Sequence, residues 1–260
     1  MSALPDIART VLPLLDLTRL EDNTSDSDIA RLCARASTAA GHVAAVCVAP
    51  EHVGMARQGL ARAGLHAQVK VATVINFPHG QADPAAVEIE ARSALTSGAD
   101  EIDLVFDYRA LIDGDERAGY RLVSRCRQIM SGYTLKVILE TGELKDSGLI
   151  RTASDIAISA GADFLKTSTG KVAVNATPGA AAVMMEAIRD SARPVGFKAA
   201  GGIGTTREAG VYLDLARHIL GKSWLRPERF RFGASSLLDD LLQTLELGVK
   251  PVDLRSRYEC

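Results

Sequence analysis

Aromatic residues are scarce: six Phe, five Tyr and one Trp make up 5% of the 260 residues. Alanine, leucine and valine are plentiful instead, a balance that suits helices packed on strands better than a β-sandwich. The four cysteines, Cys33, Cys47, Cys126 and Cys260, show no CxxC spacing. They read as reduced, mostly buried thiols of a cytoplasmic protein. The five histidines, His42, His52, His66, His79 and His218, show no HxH or HExxH spacing, so no metal site is expected. There is no serine nucleophile elbow and no long basic run, and the net charge is −2, which argues against a nucleic-acid or membrane surface. No apolar run reaches the length of a membrane span, and the N-terminus has no basic-then-apolar leader pattern. No linker rich in Pro, Ser or Gly divides the chain, so one domain over 1–260 is expected.

What is present is a repeated alternation. Short apolar, β-branched runs occur at 11–17, 43–48, 69–77, 101–106, 135–140, 163–167, 194–200 and 230–234. Helical stretches are expected at 26–40, 51–63, 83–96, 116–129, 146–160, 178–190, 205–220 and from 236 through Leu245. Strand–helix alternation demands a parallel sheet, since only a crossover returns the chain to the next parallel strand. Eight units at intervals of about thirty residues fit an α/β (β/α)8 TIM barrel spanning roughly 11–247, with a tail over 248–260 expected to be mobile. An open doubly wound sheet would more often carry Gly-x-Gly-x-x-Gly after its first strand, where this chain has Leu17-Thr18-Arg19.

In such a barrel, chemistry sits at the C-terminal ends of the strands. Those ends bear Asp16, Cys47, Asn76, Asp103, Lys136 with Glu140, Lys166, Lys198 and Ser235-Ser236. Two lysines on consecutive strands, each followed by a glycine turn, stand out: Lys166 in Asp163–Lys171 and Lys198 in Pro194–Gly202. Surface lysines with their stems along apolar ground would explain either segment alone. Alternation puts Phe164, Lys166 and Ser168 on one face, and Gly196, Lys198 and Ala200 on one face, with Asp103 pointing into the barrel. Glycine at 196 is expected to leave room for a long neighbour. A lysine inside a barrel is costly unless paired or neutral. Desolvation and a neighbouring cation lower its pKa from about 10.4 toward roughly 7–8, which exposes the neutral amine that attacks carbonyls. Lys198 is the expected cation beside Lys166, and Asp103 the acid holding Lys198 charged. A Lys–Asp pair serving stability alone is the plainer alternative. Spacing does not settle which lysine is the nucleophile. Lys136 is also strand-borne, Lys70 begins a strand at the wrong end, and Lys166 is favoured by its flanking hydroxyls Thr167, Ser168 and Thr169. Independently, Gly170-Lys171, Gly201-Gly202 and Ser235-Ser236 offer backbone N–H groups, a cation and a helix N-terminus to a phosphate on adjacent loops.

The stretches Leu15–Thr18, Asn76–Gly80, Gly98–Asp103, Glu140–Leu144, Lys166–Gly170 and Arg231–Ser236, in that order, make the chain similar to the 2-deoxyribose-5-phosphate aldolases over nearly its whole length. The resemblance implies a cofactor-free and metal-free class I aldolase. Such an enzyme reversibly cleaves 2-deoxy-D-ribose 5-phosphate to acetaldehyde and D-glyceraldehyde 3-phosphate, in deoxyribose catabolism. It implies Lys166 as Schiff-base lysine, Lys198 as the partner lowering its pKa, and Asp103 as a proton relay through a water. Asp16, Cys47, Thr18 and Thr167 are then substrate-binding, and Gly170, Lys171, Gly201, Gly202, Ser235 and Ser236 hold phosphate. Small aldehyde and sugar-phosphate substrates and a homo-oligomer, a dimer by expectation, follow from the same likeness. Two departures stand out. Gly204 occupies a place where the family commonly has an arginine. Tyr258, the candidate for the family's catalytic C-terminal tyrosine, is followed by Glu259 and Cys260. Other readings are a transaldolase or keto-acid aldolase on the same barrel, or a sugar-phosphate sensor without catalysis.

Overall fold

The structure is a computed structural model and describes residues 3–81 and 83–247. Tyr258 and the tail over 248–260 lie outside the described residues. Eight parallel strands close into a barrel: β1 (Leu15–Arg19), β2 (Ala45–Val48), β3 (Lys70–Ile75), β4 (Glu101–Val105), β5 (Thr134–Ile138), β6 (Phe164–Lys166), β7 (Gly196–Ala200) and β8 (Phe230–Ala234). Each strand pairs with the next in sequence, and β8 pairs with β1 to complete the cylinder. The architecture is a single-domain (β/α)8 barrel.

The helices form where their caps and periodicity direct them. α1 is Leu4–Val11, α2 Asp26–Arg35, α3 Val53–Arg62, α4 Pro84–Thr96, α5 Tyr108–Ile112 and α6 Glu116–Ile129. Then come α7 (Thr141–Leu144), α8 (Ser147–Ser159), α9 (Pro178–Asp190), α10 (Thr206–Ile219) and α11 (Leu237–Thr244). Capping boxes open α2 (Ser25 with Asp28) and α10 (Thr205 with Glu208), and Asp115, Asp146 and Thr177 cap α6, α8 and α9. Each satisfies N–H groups that the first helical turn leaves without a partner.

Most of the apolar core lies between the barrel and this helical coat. Ile102, Leu104 and Phe106 face outward into it, as strand alternation predicts. Gly119 of α6 lets the helix approach, since a Cβ there would stand 2.1 Å from the Phe106 ring. Inside the barrel, a small separate apolar cluster of Ala45, Cys47, Ala72 and Val74 occupies β2 and β3. Apart from Phe164 and the small residues Gly196, Ala200 and Gly233, most of the remaining interior is charged, unlike the branched aliphatic layers usual in this fold.

Several boundaries differ from the sequence expectation. α2 stops at Arg35 instead of running to residue 40. A short hairpin, Ser37–Thr38 with Gly41–His42, follows, closed by Thr38 Oγ1 donating to the Gly41 carbonyl. α1 precedes the expected start of structure, burying Ile7, Ala8 and Val11 against α10 and α11. β5 ends at Ile138, because Glu140 turns into the left-handed region at φ 56°.

Candidate active site

The strand register brings the chemistry-bearing residues together. Lys166 and Lys198 are direct Cα partners on β6 and β7, and Asp103 and Lys136 are partners on β4 and β5. Asp103 sits between them. Lys166 Nζ donates to Asp103 Oδ2 at 2.8 Å, and Lys198 Nζ donates to the same oxygen at 2.9 Å. Lys136 Nζ donates to Asp103 Oδ1 at 2.7 Å. Lys198 also donates to Asp16 Oδ2 at 2.5 Å. All of these groups are buried, Lys166 at 3% exposure and the others at 0%.

Burial affects the lysines alike, but their carboxylate partners do not. Burial pulls all three down. Lys198, between Asp103 and Asp16, is nevertheless held above the ordinary lysine value, and so is Lys136, between Asp103 and Glu101. Lys166 has Asp103 alone, shared with the others, and the nearby Lys198 ammonium opposes it, so its pKa is lowered. Desolvation is thus the first cause of the Lys166 shift and the Lys198 charge a further one. Asp103 is pushed up by burial, but Lys136, Lys166 and Lys198 together hold it well below the carboxylate range. Asp16 is likewise held down, against burial, by Lys198, Arg231 and Lys136.

Room for the lysine stems comes from an unexpected glycine. The space beside Gly196 is filled by the Phe164 ring, 2.4 Å from where a Cβ would stand. Gly233 on β8 makes way for Lys198 instead, the Lys198 Cε lying 2.9 Å from the position of the missing Cβ.

A cavity of about 530 Å³ opens at the C-terminal end of the barrel. Of the three interior lysines, Lys166 alone lines it. Around it stand Gly170, Lys171, Gly201, Gly202, Ser235 and Ser236, all six residues expected to hold phosphate, together with Thr18. Gly201 and Gly202 adopt φ of 84° and 79°, and a Cβ on Gly201 would lie 2.7 Å from Asn175 Cβ, so this turn requires glycine. Ser236 is the N-cap of α11, its side chain unused by the cap. Lys171 Nζ donates to the Leu20 carbonyl at 2.9 Å across the cavity mouth. Gly204 also lines the cavity, so the site has no arginine there.

Three residues expected to touch substrate do not reach this cavity. Asp16 lies deeper in the barrel, paired with Lys198 and Arg231. Thr167 Oγ1 is turned to the neighbouring strand, donating to the Ala200 carbonyl at 3.1 Å and accepting from its N–H at 3.0 Å. Cys47 is fully buried with Leu20 and Phe77 packed against its cluster, and burial pushes its thiol pKa up.

Two interior residues were not singled out from sequence. Glu101 and Arg231 share the inward parity of Asp103 and Gly233, the period-two signal that identifies them. Glu140, noted only as a strand end, is buried and accepts from Thr169 Oγ1 at 2.6 Å and from Thr169 N at 3.2 Å. Thr169 Oγ1 in turn accepts from Lys171 N at 3.0 Å, so Glu140 ties down the loop that carries Gly170 and Lys171.

A closed eight-stranded parallel barrel with a desolvated amine at the C-terminal mouth is an architecture on which aldol chemistry is carried out. A model of the DeoC/LacD family of aldolases matches residues 10–243, and the chain belongs to that family. Among solved structures it is similar to a protein of Toxoplasma gondii ME49 provisionally named a deoxyribose-phosphate aldolase. The two share 30% identity over 93% of this chain and 95% of that one, with a TM-score of 0.87. A similarly named protein of Coccidioides immitis shares 30% identity over 91% and 86%, with a TM-score of 0.79. A deoxyribose phosphate aldolase from Aeropyrum pernix, described as having a unique tetrameric structure, shares 28% identity over 95% and 93%, with a TM-score of 0.73.

Proposed function

We propose that this chain is a Schiff-base aldolase that reversibly cleaves 2-deoxy-D-ribose 5-phosphate to acetaldehyde and D-glyceraldehyde 3-phosphate. The observation that carries the reading is the position of Lys166: a desolvated lysine with a lowered pKa, lining the same cavity as six anion-binding candidates. In the synthetic direction, neutral Nζ attacks the acetaldehyde carbonyl to give a carbinolamine. Loss of water leaves an iminium, and loss of a proton from the methyl carbon gives an enamine. The enamine carbon adds to the aldehyde of glyceraldehyde 3-phosphate, whose carbonyl oxygen takes up a proton, and water releases the product and restores the amine. Asp103, hydrogen-bonded to Lys166, is suited to pass these protons through a water, and Lys198 to keep Asp103 ionised. Gly170, Lys171, Gly201, Gly202, Ser235 and Ser236 offer the phosphate N–H groups, hydroxyls, one cation and a helix N-terminus. A role in deoxyribose catabolism and assembly as a homo-oligomer belong to the same reading.

Incubation with acetaldehyde and borohydride, followed by peptide mapping, tests it. The expected result is one ethyl group on Lys166. An adduct on Lys136 or Lys198, or no release of glyceraldehyde 3-phosphate from deoxyribose 5-phosphate in a coupled assay, would overturn it.

A further inference from the structure

Seven ionisable side chains fill the charged part of the barrel interior, none more than 5% exposed. Six of them close on themselves. Lys136 Nζ lies 2.7 Å from both Asp103 Oδ1 and Glu101 Oε2. Arg231 forks onto Glu101 at 2.9 and 3.2 Å and reaches Asp16 Oδ1 at 2.5 Å. Lys198 then bridges Asp16 Oδ2 and Asp103 Oδ2 at 2.5 and 2.9 Å. The result is a ring of alternating sign: Asp103, Lys136, Glu101, Arg231, Asp16, Lys198. Lys166 is the seventh group, attached to the ring at Asp103 alone.

Three cations and three carboxylates cancel within the ring. A protonated Lys166 adds a fourth cation with no carboxylate of its own, and an uncompensated buried charge is costly. Two other titratable groups act on Lys166, Glu140 just beyond β5, whose carboxyl pKa burial pushes up, and Cys47 on β2, and neither makes an ion pair with any of the four cations among the described residues. Glu140 is held by Thr169. The proton in excess is therefore the one on Lys166.

We propose that Glu101 and Arg231 are positioning residues that keep this ring electrically balanced, and so make Lys166 the lysine that gives up its proton. Neither lines the cavity at the C-terminal mouth. Both line a separate cavity of about 1130 Å³ at the opposite end of the barrel, so substitutions there leave substrate contacts untouched. The inference rests on Lys166 being the Schiff-base amine.

The test is the pH dependence of the initial rate of acetaldehyde–borohydride labelling at Lys166. Arg231→Gln removes a ring cation, so that three carboxylates face Lys136, Lys198 and a protonated Lys166. The midpoint is expected to rise by about one pH unit, with labelling about tenfold slower below it. Glu101→Gln removes a carboxylate and is expected to move the midpoint down. The double variant, which loses one charge of each sign, is expected to return to the parent midpoint whatever its overall rate. Lys136→Met removes a ring cation while keeping both Arg231 and Glu101, and is expected to shift the midpoint up, which keeps the test available if Arg231→Gln does not fold. A role in packing alone would lower the rates without moving the midpoints in opposite directions. Labelling at Lys166 with unmoved midpoints, or with both single variants shifted the same way, overturns the ring proposal and leaves the aldolase reading intact. Labelling of another lysine in the parent protein overturns both.

Discussion

Three buried lysines of one barrel have their pKa values moved in different directions, according to the carboxylates each can claim. Lys198 bridges two, and Lys136 bridges two at 2.7 Å with Asp16 a third at 3.8 Å, whereas Lys166 has one that it shares. The sign of the stability consequence follows. A lysine whose folded pKa is lowered costs stability in full below that folded pKa, and the cost is relieved as pH rises from there to the unfolded value of about 10.4. Lys166→Met, which fills the same volume without a charge, is therefore expected to abolish labelling while raising stability by about 1–2 kcal/mol below the Lys166 folded pKa. The gain should shrink as pH rises from that folded pKa and vanish near the unfolded value of about 10.4. Urea melts of the two proteins at a series of pH values check this. Lys136 and Lys198 act in the opposite sense: their raised pKa values stabilise below the unfolded value of about 10.4, and that contribution is lost only at higher pH. At Gly204, a Cβ would meet nothing closer than the Ser236 hydroxyl at 3.6 Å, so a side chain fits. Gly204→Arg adds a cation to a cavity that holds Lys171 beside Glu21 and Glu208. The expected outcome is a KM for the phosphorylated aldehyde about tenfold lower, consistent with one charge-assisted hydrogen bond, and little change for an unphosphorylated one.

At the scale of elements, strand alternation made most of the site readable. The period-two rule places Asp103, Lys166 and Lys198 inward because a strand admits only two faces. The apolar, outward positions Ile102, Leu104 and Phe106 follow from the same count. The helices at 116–129 and 178–190 coincide with α6 and α9, whose caps Asp115 and Thr177 are local signals. Contacts between distant segments were not readable. Nothing near Gly233 in sequence says that it accommodates Lys198, or that Gly196 accommodates Phe164. Nor does local pattern show that Thr167 spends its hydroxyl on Ala200. Glu140 escaped notice as more than a strand end for the same reason: its partner, Thr169, lies on the following strand–helix unit. Because Glu140 holds the loop carrying Gly170 and Lys171, Glu140→Ala is expected to raise KM for the phosphorylated substrate several-fold while labelling of Lys166 by acetaldehyde alone persists. Glu140→Gln, which still accepts from Thr169, should recover part of the loss. Loss of labelling in Glu140→Ala would show that its carboxyl acts on the amine instead of on the loop.

For the molecule as a whole, the helical coat and the outer faces of the strands supply the apolar core, and the interior of the cylinder is released from that task. Of the apolar interior that remains, Ala45, Cys47, Ala72 and Val74 are short side chains on two adjacent strands, and Phe164 packs against Gly196. A lumen organised by charge tolerates change differently from one organised by volume. Residues 101 and 231 lie on strands β4 and β8, far apart in the chain, yet each meets the other's side chain directly. Relatives of this protein that lose one of them should therefore have lost the other as well, inheriting the two as a neutral couple or as a salt bridge, and seldom as half of one.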